Sequence, residues 1–107
     1  MYMKVATVEI APGKMDEYLR LFQAAQVPAM KAARGFQEAR LLTDAHTGKV
    51  MSITLWETEA DAKAAPAQPD RYGDLLAKPP TFEYYELSIR VEAPRRLGTG
   101  VRESLVR

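Results

Sequence analysis

Two alternating runs stand four residues apart in the middle of this chain: FQEARLLTD (Phe36–Asp44) and KVMSITLWE (Lys49–Glu57), joined by AHTG. Alternation is the mark of a half-buried strand, and a short link ending in Gly48 closes the two into a hairpin. A hairpin at mid-chain limits what the flanks can be. On its N-terminal side, MKVATVEI (Met3–Ile10) reads as a further strand, and APGK puts Pro12 and Gly13 at the centre of a type II turn. From Met15 to Arg34 the residues Met15, Tyr18, Phe22, Ala25, Ala29 and Ala33 recur at helical spacing, with Leu19, Val27 and Met30 beside them. Asp16 and Glu17 lie in the first turn and Lys31 and Arg34 near the last, where the helix dipole favours each sign, and Gly35 ends the helix. Pro28 removes one backbone donor inside it, which predicts a kink.

On the C-terminal side, Thr58 and Asp61 approximate a capping box, so a second helix starts at about Glu59. Pro66 and Pro69 interrupt it, and Pro69 opens a further turn through Leu76. Pro79 and Pro80 block any continuation, and TFEYYELSIRV (Thr81–Val91) is expected as the last strand. The order β-α-β-β-α-β predicts an α+β, ferredoxin-like fold: an antiparallel four-stranded sheet with both helices on one face. Residues 1–91 then form the domain. Residues 92–107, EAPRRLGTGVRESLVR, hold too few apolar side chains for core and read as a mobile or dimer-gripping tail.

The 107 residues allow one core and little more. Fifteen basic and fourteen acidic residues are spread along the chain, leaving a net charge of +1 and no cationic block to attract nucleic acid or an anionic membrane. With no cysteine there is no disulfide, thiolate site or cysteine nucleophile. His46 is the only histidine and sits in the hairpin link, so a histidine metal cluster is excluded. The N-terminal stretch alternates, unlike a secretory signal, and nothing is long and apolar enough to span a membrane, so a cytoplasmic protein is expected.

Sorting each strand into its two rows gives an expectation about the sheet. The aliphatic rows Met51, Ile53, Leu55 and Tyr85, Leu87, Ile89, Val91 are expected beneath the helices, with Ala6, Val8 and Ile10 of the first strand. That leaves Thr7, Glu9, Ser52, Thr54, Trp56, Tyr84, Glu86 and Arg90 on the far face, among Met3, Val5, Val50 and Phe82. A face so mixed suits a half-wet cavity, and a second copy of the same sheet is the simplest lid for it.

VEIAPGKMDEYLRLFQ, VPAMKAARGFQEARLL and VMSITLWETEADAKAA together resemble the antibiotic biosynthesis monooxygenase family over residues 3–91. The shared pattern is a strand, turn and helix, a proline followed by a Gly-Phe step into the second strand, and a third strand ending in Trp-Glu-Thr-Glu-Ala. The resemblance implies a homodimeric α+β barrel with a cavity between helices and sheet. It further implies a cofactor-independent monooxygenase that oxidises a small aromatic or quinol-like molecule with O2, or a non-catalytic small-molecule-binding or stress-associated dimer on the same fold.

No cofactor and no metal are expected. Trp56, Ser52, Glu9 and Glu86 are the candidate catalytic residues; Thr7, Thr54, Tyr84, Arg90 and Phe82 are the candidate substrate contacts. Trp56 and Tyr84 offer ring walls or donors, Ser52 and Thr7 hydroxyls, and Glu9 or Glu86 a base if burial raises its pKa. Arg90 offers a positive charge for an enolate, or a partner for Glu86. The quinone-forming members carry an asparagine four residues before the tryptophan and a tyrosine six after it, where this chain has Ser52 and Ala62. The haem-degrading members use an axial histidine in the segment that here reads ADAKAAPAQPDRYGDLLAKPP, which has none; Tyr72 is the one conceivable iron ligand in it. Haem degradation is therefore disfavoured.

Overall fold

The computed structural model describes residues 1–65 and 72–94. Strand β1 (Tyr2–Ile10) leads through Gly13, at φ 78°, into α1 (Met15–Leu21), a π turn (Phe22–Gln26) and α2 (Val27–Ala32). Then follow β2 (Phe36–Asp44), β3 (Lys49–Trp56), α3 (Glu59–Ala64), a short 3-10 turn (Gly73–Leu75) and β4 (Leu76–Glu86). All three strand pairings are antiparallel, and the sheet order is β2-β3-β1-β4. The helices cover one face, and the core beneath them is built on Ile10, Tyr18, Phe22, Met30, Val50, Tyr72 and Leu75. The ferredoxin-like order expected from the sequence is present. Among the described residues no helix is long and apolar enough to cross a membrane.

Local chemistry accounts for the joints. Gly48, at φ 80°, closes the β2–β3 hairpin, and a Cβ there would stand 2.6 Å from the Ile10 carbonyl oxygen. The Thr58 hydroxyl accepts from the Asp61 N–H at 3.1 Å and starts α3 where the sequence places it. The kink expected at Pro28 takes the form of the π turn just before it, in which the Val27 N–H donates to the Phe22 carbonyl. In α geometry the proline ring would press on the carbonyl four residues back. The wider turn ahead of it relieves that contact and sets Tyr18, Phe22, Gln26 and Met30 along one buried line.

Two expectations are corrected. The last strand is Leu76–Glu86 rather than Thr81–Val91, and residues 87–94 carry no regular structure. Pro79 and Pro80 do not stop it, because β4 is an edge strand that pairs only with β1. The register moves from Glu9↔Lys78 to Thr7↔Thr81, so both prolines sit in a bulge opposite Val8, where no ladder donor is needed. The turn expected from Pro69 begins outside the described residues; within them Tyr72 is helical and Gly73–Leu75 forms a 3-10 turn before β4. The expected tail falls largely on residues 95–107, which also lie outside them.

The second correction concerns the faces. Strand β1 turns Ala6, Val8 and Ile10 to the helices as expected, and Lys4 with them. Strands β3 and β4 are turned over. Val50, Ser52, Thr54 and Trp56 face the helices, as does the Phe82 row, while Met51, Ile53 and Tyr85 lie on the open face with Met3, Val5, Thr7 and Glu9; Leu55 shares their parity but is buried. The mixed row is inside because the helix side holds a cavity as well as core. Strand β2 sends Phe36 and Leu41 inward.

Candidate functional site

Trp56 closes β3 and is only 1% exposed. Its indole N–H donates to the Thr54 hydroxyl at 2.8 Å, and that hydroxyl in turn donates to the Lys4 carbonyl at 3.4 Å. Its ring meets Phe36, its cross-strand neighbour, edge-on at 5.4 Å between centroids. The indole is therefore both an anchor and a wall: its polar edge is tied to the sheet while its ring lines a cavity of about 70 Å³ between sheet and helices.

The sheet supplies Lys4, Ala6, Ser52, Thr54, Trp56 and Phe82 to this cavity, and the helical layer faces them with Tyr18, Phe22, Gln26 and Met30. Tyr72 closes one side. Its ring lies 5.0 Å from that of Tyr18, and its hydroxyl donates to the Gln26 side-chain oxygen at 3.5 Å. Burial, reinforced by the neighbouring Tyr72, pushes the Tyr18 phenol far above its ordinary value, so it stays protonated. Lys4 is 7% exposed, and its ammonium stands 4.8 Å from the centre of the Phe82 ring. Burial holds this lysine below its ordinary 10.5. Among the described lining residues it is the one charged side chain, and none is Asp, Glu or His.

Of the residues singled out from the sequence, the structure thus gathers Trp56, Ser52, Thr54 and Phe82. The others lie elsewhere. Thr7 and Glu9 are on the open face of β1, where Glu9 meets Lys78 at 3.8 Å. Tyr84 is on the inner row of β4, outside the lining, with the Lys63 ammonium 5.8 Å from its ring. Glu86 is exposed at the end of β4, paired in register with Tyr2. Arg90 lies beyond the strand and donates to Glu38 at 3.0 Å, not to Glu86. Sequence reasoning misses Lys4, because a lysine in an alternating strand reads as solvent-facing. Its parity with Ala6, Val8 and Ile10 is the available signal.

Among the described residues no group of three or more His, Cys, Asp or Glu could hold a metal ion. No histidine is among the described residues that line the cavity, and the Tyr72 hydroxyl lies 3.5 Å from the Gln26 side-chain oxygen.

Solved structures of the same shape include a candidate antibiotic biosynthesis monooxygenase from Nitrosomonas europaea, at 16% identity and TM-score 0.68, the match covering 80% of this chain and 97% of that one. A second candidate of the same description, from Caulobacter crescentus, is 18% identical at TM-score 0.68, over 82% and 90% of the two chains. The haem degrader MhuD of Mycobacterium tuberculosis, solved with two haems in its active site, is 18% identical at TM-score 0.66, over 86% and 100%. Identities this low speak for the fold alone. No curated protein matches the chain. The family profile described as antibiotic biosynthesis monooxygenase matches residues 1–71. With that match over most of its length and this fold beneath it, the chain belongs to the antibiotic biosynthesis monooxygenase family.

Proposed function

We propose that this protein is a cofactor-independent monooxygenase that oxidises a small aromatic or quinol-like molecule with O2, working as a homodimer. The observation that carries the reading is the ring-lined cavity, in which Trp56 and Phe82 on the sheet face Tyr18 and Phe22 on the helices. Such walls accept a flat ring. For an anthrone-like methylene the chemistry balances without a cofactor. Loss of a proton to solvent water gives a carbanion that passes one electron to O2, the two radicals recombine, and a proton returned from solvent completes a hydroperoxide. Elimination of water then leaves a carbonyl, so the methylene and dioxygen become a ketone and water, with one oxygen atom in each. Ser52 is the lining hydroxyl left to donate to a bound ring, since the Thr54 proton goes to the Lys4 carbonyl. Glu9, Thr7 and Arg90 take no part in this reading, since none borders the cavity.

Dimerisation is supported by the open face of the sheet, where Met3, Val5, Met51 and Ile53 form an aliphatic patch beside the half-exposed Leu42 and Tyr85. The second reading, a non-catalytic binding protein, is favoured by the lack of a carboxylate or imidazole on the described lining. Oxygen uptake with a panel of anthrones and menadiol-like quinols separates the two. Turnover of at least one compound, lowered about tenfold or more in Trp56→Ala and in Phe82→Leu, supports the oxygenase. A flat trace in which wild type equals both variants leaves the binding protein.

A further inference from the structure

Every described carboxylate that forms an ion pair does so away from the cavity. Glu9 meets Lys78, Glu59 meets Lys63, Glu38 meets Arg40 and Arg90, and Glu92 meets Arg90. Lys4 has no such partner among the described residues, although it is more than nine-tenths buried and lines the cavity. Drawing an ammonium partly out of water carries a cost, and the Phe82 ring at 4.8 Å, itself 40% exposed, is the compensating contact on view. The aliphatic stem alone does not justify the residue, because methionine or leucine would fill the same volume without the penalty. The account closes when an anion enters with the ligand.

We propose that the cavity binds its ring ligand as an oxyanion, a phenolate or enolate, with the Lys4 ammonium as counter-ion. The geometry favours a ring oxygen. Lys4 and Thr54 are directly paired across β1 and β3, Ala6 and Ser52 form the next inward pair, and Phe82 lies opposite Ala6 on β4. The Lys4 charge, the Ser52 hydroxyl and the Phe82 ring thus occupy one small patch of sheet floor. An anion held there is also the form of such a molecule that gives an electron to oxygen most readily. The inference rests on the pocket described under Proposed function but does not need turnover.

Trp56 is the only tryptophan, so its fluorescence reports binding directly. The test titrates the full chain at neutral pH with 2-hydroxy-1,4-naphthoquinone, an anion under those conditions, and with 1,4-naphthoquinone, the same ring without the charge. Wild type should bind the anion about tenfold more tightly or better. Lys4→Met should lose that preference while its affinity for the neutral ring stays within about twofold, and Lys4→Arg should recover part of it. A merely structural lysine would move both affinities together. Equal binding of the two rings by wild type, or a preference that survives Lys4→Met, overturns the counter-ion and leaves the pocket standing. Failure of both rings to quench removes the pocket as well.

Discussion

Lys4 shows how a single position can weigh against folding while serving a site. Because burial lowers its pKa, the folded chain holds this proton less tightly than the unfolded one. The cost is full at neutral pH, where the lysine is charged in both states, and it fades as pH rises through the folded value towards 10.5. Lys4→Met should therefore be the more stable protein at neutral pH, by on the order of 1 kcal/mol, with a margin that narrows in urea melts near pH 10. Tyr18, shifted upward by burial, pulls the opposite way in both proteins and cancels from the difference. The same scale shows what single residues disclose in the sequence. Trp56, Ser52, Thr54 and Phe82 stand out by their chemistry and their places on the strands. Glu9 and Arg90 cannot be eliminated there, because only the fold shows that one lies on the opposite face and the other beyond the strand.

The elements are legible where a side chain punctuates the backbone. Gly48 marks the hairpin, Gly35 the end of the first helix and Thr58 the start of α3. Thr58→Ala should cost about 1 kcal/mol, since it frees the Asp61 N–H from its cap, and a thermal melt followed by circular dichroism would show it. An unchanged melting temperature would mean that α3 is held by packing alone. Legibility fails where two rules meet. Alternation assigns aliphatic rows to the helix side, yet in β3 that side holds Ser52, Thr54 and Trp56 because it borders a cavity, and Met51 and Ile53 lie on the opposite face. Prolines read as a stop, yet on an edge strand they fit a bulge without loss of a ladder hydrogen bond.

For the whole molecule, the inverted rows leave an open sheet face more apolar than a monomer would need. Wild type should sediment as a dimer, and Ile53→Lys, which places a charge in the middle of that face, should sediment as a monomer without loss of helical signal. A monomeric wild type would end the dimer reading and leave the cavity, which lies within one chain, untouched. That cavity's roof has a different kind of origin. A π turn is an α helix that carries one residue too many, and the surplus falls between Leu21 and Val27. Dropping one codon there, together with Pro28→Ala, would yield an uninterrupted helix. The shape of the hollow above the indole would change with it. The hollow is therefore encoded partly as a length of chain, and an insertion or deletion, rather than a substitution, is the change through which relatives of this protein would acquire a differently shaped ligand.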